Sequence, residues 1–317
     1  MGIADVVARF PLLWWRVRQT VNAILQDRPE IVVMIDSQLF ASTVASRVRK
    51  TGYRGPMILY VAPSVWAFRP ERAEKLVGLF DEILAIYHFE PKVLRDLGGP
   101  PTTYVGHPAL GRYSMREEIP AKGPLLLLPG SRAGELRRHL PLMASIAQAF
   151  AAHPRVTELL LPTPSIEADR VRAAVTRWPV PVRIVTAAPE KAEAFRDAIA
   201  AVAAAGTVTL ELALSGVPMV VTYVGDRQQY QRWLSVNRPF TALPNILAQK
   251  RIVFDGVVET PNPDVIIAEL RKLLDQPDLA ARQVEEFAAM ARLMAVNVTD
   301  PSERVLAHLP QRLSRAT

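Results

Sequence analysis

Along most of the chain, short unbroken apolar runs alternate with longer stretches whose apolar residues recur at helical spacing. The first such stretch, residues 2–26, carries Ile3, Val6, Val7, Phe10, Leu13, Trp14, Val17, Val21, Ile24 and Leu25, with an interruption or kink expected at Pro11 and a stop at Pro29. Ile31-Val32-Val33-Met34-Ile35 follows as an unbroken run, the pattern of a strand buried on both faces of a parallel sheet. A helix over 41–51 ending at Gly52, a strand over 57–61, a helix over 71–80 and strands over 82–86 and 103–105 continue the alternation. After a polar pause at 112–123, it resumes with strands over 125–128, 158–161, 182–185, 201–203 and 219–222. Helices over 135–152, 166–178, 191–200 and 209–214 lie between these strands. Repeated βα units imply parallel strands covered by helices, so the expected class is α/β, with two Rossmann-like domains joined by the polar pause. In such tandem units ligands bind outside the carboxyl ends of the strands, in the cleft that separates the domains.

The 317 residues suit two domains. With 50% hydrophobic and 22% charged residues, disordered and fibrous classes are excluded. The charge sum, 38 basic minus 31 acidic residues, is +7, which suits an anionic ligand or surface but lacks the dense clustering of a nucleic-acid binder. The absence of cysteine removes disulfides, thiolate metal sites and thiol nucleophiles, and agrees with a reducing compartment. No His pair has metal-ligand spacing, so no metal is expected. Arg9, Arg16 and Arg18 interrupt the aromatic N-terminal stretch, which therefore does not read as a membrane span. Aromatic and basic residues interleave over 9–18, a composition that suits either a bilayer interface or a core helix whose arginines face water. Residues 1–115 hold 14 basic against 10 acidic side chains, a weak bias toward an anionic membrane face.

Three strand ends carry candidate chemistry. Pro129-Gly130-Ser131-Arg132 joins a buried strand to a helix that includes Glu135, where backbone amides, the helix N-terminus and a guanidinium suit an anion. Ala204-Ala205-Gly206-Thr207 repeats that arrangement, and Glu211 one turn later suits ribose hydroxyls or simply a solvated helix face. Asp36, directly after a strand, suits a general base or the N-cap of the next helix, a position for which Ser37 competes. His107, between Gly106 and Pro108, reads first as a turn residue.

In their order, several motifs resemble the lipid-A-disaccharide synthase family, glycosyltransferases of the two-domain GT-B architecture. They are Val33-Met34-Ile35-Asp36 with Phe40, residues 60–67 (Tyr-Val-Ala-Pro-Ser-Val-Trp-Ala), Phe89-Glu90-Pro91, Val105-Gly106-His107-Pro108, Leu128-Pro129-Gly130-Ser131-Arg132 with Glu135, Gly206-Thr207 with Leu210-Glu211, Pro218-Met219-Val220, and residues 243–247. The segment Pro63-Ser64-Val65-Trp66-Ala67 is the most family-specific. The resemblance implies transfer of 2,3-diacylglucosamine from UDP-2,3-diacylglucosamine to the 6-hydroxyl of 2,3-diacylglucosamine 1-phosphate, with inversion and release of UDP, and calls for no cofactor. It implies Asp36 as base and Gly130, Ser131, Arg132, Glu135, Gly206, Thr207, Glu211, Gln229 and Asn245 as substrate contacts. It further implies an acceptor-side domain over 1–115, a nucleotide-sugar domain over 122–292, and a helix over 293–317 packing back across the cleft. The expected location is cytoplasmic, peripheral on the inner face of the inner membrane, with Phe10, Leu13, Trp14 and Trp15 as lipid contacts.

The chain departs from the family pattern in ways that matter. It lacks the N-terminal Gly-Glu-x-Ser-Gly-Asp loop, so the first sheet is expected to be truncated with an open edge. Gln38-Leu39 stands where the family tends to have Pro-Asp, Ala205 where it has Ser, and Gly256 and Glu259 where it has Glu and Gln. Residues 226–230, with Gln228-Gln229, look more like the peptidoglycan UDP-N-acetylglucosamine transferase. A diverged or non-catalytic GT-B protein that binds a UDP-sugar or the membrane is the contrasting expectation.

Overall fold

The computed structural model describes residues 10–236, 239–295, 302–306 and 309. They fall into two compact units, one up to Gly111 together with residues from Met294 onward, the other Arg112–Leu293.

In the first unit, helix α1 (Phe10–Asp27) precedes strand β1 (Val32–Ile35), α2 (Gln38–Lys50), β2 (Met57–Tyr60), β3 (Glu82–Ala85), α3 (Glu90–Asp96) and β4 (Thr102–Tyr104). The strands form a parallel sheet in the order β1-β2-β3-β4, with Ile35 opposite Tyr60 and Tyr60 opposite Leu84. Helix α2 buries Ala41, Val44, Ala45 and Val48, one helical stripe, and its basic last turn faces the helix dipole favourably before Gly52 (φ 87°) ends it. Helix α1 buries Val17, Val21 and Ile24 in the same core.

Pro11 is the second described residue of α1, and the residues expected to precede it in this helix, 2–9, lie outside the described residues. Strand β1 is not buried on both faces: among the described residues it stands at the sheet edge, and Ile35 is 68% exposed. The helix expected over 71–80 is instead two 3₁₀ turns, Pro70–Arg72 and Glu74–Leu76, because Val77 turns extended and Gly78 adopts φ 74°. Most of the helix expected over 293–317 lies outside the described residues.

The second unit runs β5 (Gly123–Leu128), α4 (Ala133–Phe150), β6 (Val156–Pro162), α5 (Ala168–Val175), β7 (Arg183–Val185), α6 (Ala188–Asp197), β8 (Ala200–Ala204), α7 (Thr207–Leu214) and β9 (Met219–Val224). It continues with α8 (Arg227–Ser235), α9 (Leu243–Ala248), β10 (Val257–Val258), α10 (Pro263–Asp275) and α11 (Pro277–Met294). Its parallel sheet has the order β7-β6-β5-β8-β9-β10. The central strands β5 and β8 are buried throughout, so their side chains are aliphatic on both faces, and Leu136, Met143, Ile146 and Phe150 of α4 pack against them. The polar stretch that opens this unit is not a free tether. Burial lowers the Arg116 pKa to about 10, and its guanidinium donates to the carbonyls of Gly216 (2.9 Å) and Ala198.

Candidate functional site

Strand order singles out one candidate position in the second unit. From β5 the chain winds outward through β6 and β7, then returns to place β8 on the other side of β5. The reversal falls between β5 and β8, which pair with Leu128 opposite Ala203, and a crevice opens at such a switch point beyond the carboxyl ends. The two candidate turns, residues 129–132 after β5 and 205–207 after β8, are therefore side by side.

They differ in what they leave free. After β5, Gly130 takes φ 104°, and a Cβ there would meet Glu135 Oε2 at 2.8 Å, so only glycine fits. The Ser131 and Arg132 amides donate to Glu135 Oε2 (3.1 and 3.3 Å), and Arg132 Nη1 donates to Oε1 (2.7 Å). Burial pushes the Glu135 carboxyl up, but Arg132 and the two amides outweigh it and hold the pKa below the usual value. Arg132 keeps most of its surface in solvent. After β8, Gly206 and Thr207 are exposed, no side chain caps α7, and space beside Gly206 is open. Its first-turn amides thus form an uncapped N-terminus suited to an anion. Thr209, buried one turn on, is occupied structurally, donating to Gly206 O (2.8 Å) and accepting from Leu243 N–H (3.2 Å).

Glu211 sits on the same helix, half-buried, with Lys191 of α6 donating to its Oε2 at 2.7 Å. Tyr113 also bonds its carboxylate; burial and then Glu211 raise the Tyr113 pKa. Phe195 supports both partners, stacking with Tyr113 and lying under the Lys191 ammonium (5.2 Å). Gln229 forms a reciprocal cap with Asp226 at the start of α8, and its Nε2 donates to Tyr223 Oη (3.4 Å). Asn245 is fully buried and its amide is engaged with the backbone: its Oδ1 accepts from Ile252 and Val253 amides (2.7 and 2.9 Å), and Nδ2 donates to Val253 O (2.9 Å). His139, which carries no sequence signal of its own, ties this edge together. It is buried, donates through Nδ1 to Glu135 O (2.9 Å) and accepts through Nε2 from Val224 N–H (2.9 Å), with its pKa lowered chiefly by burial.

The carboxyl edge of the first sheet has a different chemistry. Asp36 leaves β1 in the left-handed region (φ 54°), exposed, and Ser37 (φ 42°) takes the N-cap position of α2 without a side-chain cap bond. Leu39 is 74% exposed. After β2, Val61 is held at φ 76°, a strained conformation for a β-branched residue, and leads into residues 62–68. Trp66 in that segment donates its indole N–H to Glu90 Oε1 (3.3 Å), and the Tyr87 amide donates to Oε2 (3.0 Å). Glu90 is 1% exposed, and burial raises its pKa to about 7 against those bonds. Tyr87 stacks on both Phe89 and His107, and His107 Nδ1 accepts from Ala109 N–H (3.0 Å), the turn role read from its flanking residues. Among the described residues no three metal-ligating side chains cluster, and no helix is long and apolar enough to cross a membrane.

Comparison with known proteins bears on both edges. A family model described as Lipid-A-disaccharide synthetase matches residues 1–303. Lipid-A-disaccharide synthase of Bradyrhizobium diazoefficiens is 38% identical over 315 residues, covering 95% of this chain and 79% of that protein. The synthase of Rhodopseudomonas palustris is 38% identical over 313 residues, covering 96% and 80%. Among solved structures, UDP-GlcNAc 2-epimerase from Neisseria meningitidis bound to UDP-GlcNAc superposes with a TM-score of 0.61 at 11% identity, over 93% of this chain and 80% of that one. A calicheamicin glycosyltransferase gives 0.59 at 14% identity, over 99% and 82%. These last two likenesses show the fold, that of GT-B glycosyltransferases and epimerases. With the motif series, the sequence match over nearly the whole chain has one meaning: the chain belongs to the lipid-A-disaccharide synthase family, glycosyltransferases of lipid A biosynthesis.

Proposed function

We propose that the chain moves 2,3-diacylglucosamine from UDP-2,3-diacylglucosamine to the 6-hydroxyl of 2,3-diacylglucosamine 1-phosphate, with inversion at the anomeric carbon. The observation that carries the reading is the adjacency of two anion-suited turns at the β5/β8 switch point in a chain of this family. In this reading the open N-terminus of α7 at Gly206-Thr207 takes the diphosphate and Arg132 swings a solvent-facing guanidinium onto it. Glu211, with Lys191 on its Oε2, accepts from the ribose. Gln229 borders the donor sugar, whereas Asn245 shapes the 252–253 loop and touches no ligand.

Chemically, the acceptor 6-hydroxyl gives its proton to Asp36 as its oxygen bonds to the anomeric carbon. The anomeric carbon–phosphate oxygen bond breaks, and the electron pair leaves with UDP. Cations and aligned amides neutralise the departing charge, so the step needs no metal. The acceptor and the proton thus belong to the first unit and the nucleotide to the second. Acyl chains require access to a bilayer, and α1 supports a peripheral contact: Leu12, Leu13, Trp14 and Trp15 are 40–54% exposed. Arg16 and Arg18 lie over the rings of Trp15 and Trp14 at 4.8 and 4.9 Å, while Val17, Val21 and Ile24 face inward. The test is turnover of UDP-2,3-diacylglucosamine with radiolabelled acceptor in detergent. Equimolar disaccharide and UDP are expected, and donor binding with no transfer would reject the reading.

A further inference from the structure

Glu90 is a buried carboxylate that the reaction above does not use. Its donors are all neutral: the Trp66 indole, the Tyr87 amide and the Ile86 amide. Among the described residues no ion pair reaches it, although a buried carboxylate without a cation is costly. The segment it holds is itself under strain. Residues 61–69 begin at Val61 (φ 76°) and end at Arg69 (φ 57°), both non-glycine residues in the left-handed region. Between them Ala62, Pro63 and Val65 are buried while Ser64 is exposed at the carboxyl edge of the sheet. Such strain persists only where surrounding contacts over-determine the backbone. Trp66 supplies those contacts through its bond to Glu90 and edge-on packing against Phe89 (5.4 Å) and Tyr87 (6.4 Å).

We propose that Glu90 is a positioning residue for the acceptor: by gripping the Trp66 indole from β3's side of the edge, it fixes the strained 61–69 segment that presents Ser64 to the acceptor sugar. The proposal rests on the assignment of the acceptor to the first unit. Ionised Glu90 accepts from all its donors with charge assistance; the protonated acid gives up that assistance, so the grip loosens at lower pH. The titratable groups around it are Tyr87, His88, Tyr104 and His107, and Arg304 donates to the Tyr104 carbonyl (3.0 Å). Burial raises Tyr87 and lifts Tyr104 to about 12, and it lowers His88, so these three keep their charge state between pH 7 and 8.5. Any contribution of His107 is separated by the variant below.

The indole ¹H–¹⁵N resonance of Trp66, identified by its loss in Trp66→Phe, is followed from pH 5.5 to 8.5 in the whole chain. An ionisation near 7 is expected in the parent and is expected to be lost in Glu90→Gln. A flat parent resonance, or a titration curve that is the same in Glu90→Gln as in the parent, overturns the proposal. In turnover, Glu90→Ala should raise the acceptor KM roughly tenfold with the donor KM unmoved, and Glu90→Gln, which keeps an oxygen to accept the indole N–H, should restore most of it. If Glu90→Ala does not fold, Trp66→Phe, which keeps the ring but not the donor, should show the same rise. An acceptor KM unchanged in the folded variant overturns the proposal. A parent that passes the resonance test but transfers nothing rejects the proposed reaction instead.

Discussion

The two sheets end in opposite electrostatics. At the carboxyl edge of the second sheet, the half-buried carboxylates of Glu135 and Glu211 each bind a cation, Arg132 and Lys191, at 2.7 Å. At the edge of the first, Glu90 is buried among aromatic rings with only neutral donors, and Asp36 stands in solvent. A cation beside a carboxylate fixes its charge, and burial without one moves its ionisation toward neutral pH. The second edge thus offers paired charges, as the proposed nucleotide site requires, and the first buries one carboxylate, Glu90, without a cation.

Asp36→Asn gives the largest expected effect. A positioned base contributes about 10²–10⁴-fold, so turnover should fall by that factor while UDP affinity stays level. Full turnover in a folded Asp36→Asn protein would place the base elsewhere and break the contrast. Next is the pH dependence of stability. Glu90 has a folded pKa of about 7 against an ordinary 4.5, so between these values the folded chain binds more protons than the unfolded one. Its contribution is fully present below the ordinary value and lost as pH rises through about 7, on the order of 3 kcal/mol. Urea denaturation should therefore show the parent losing about that much stability relative to Glu90→Gln between pH 4.5 and 7. Parallel pH profiles would contradict it. Lys191→Met should cost about 1 kcal/mol in the same assay, the scale of a partly exposed ion pair. A smaller effect concerns α1: Trp14→Ser with Trp15→Ser should reduce sedimentation with anionic liposomes, and high salt should reduce that of the parent. Unchanged sedimentation of the folded double variant would leave α1 a core helix only.

The second sheet is legible in the sequence because Leu125–Leu128 and the alanine-rich β8 are buried on both faces and show as unbroken runs. The first is less so. Ile31 to Ile35 has the same look, yet Ile35 is exposed at an edge, because an unbroken run marks apolar residues and not the neighbours that cover them. The helix expected over 71–80 fails for a local reason, the turns at Val77 and Gly78, which apolar spacing does not register. At the site, Gly130, Arg132 and Gly206-Thr207 are readable from their places after strands. The partners that give the carboxylates their properties are not: Trp66 is 24 residues from Glu90 and Lys191 is 20 from Glu211, separations without local periodicity. Asn245, by contrast, keeps its motif but spends its amide on the backbone of Ile252 and Val253.

If the β5/β8 switch point is a UDP site, it binds both the diphosphate and the ribose through the residues that flank it. Titration calorimetry of UDP and of inorganic diphosphate tests it most directly, using the parent, Arg132→Ala and Glu211→Ala. The parent should bind UDP, Arg132→Ala should lose about 2–3 kcal/mol for both ligands, and Glu211→Ala should weaken UDP with diphosphate unaltered. UDP affinity unchanged in both variants would contradict it.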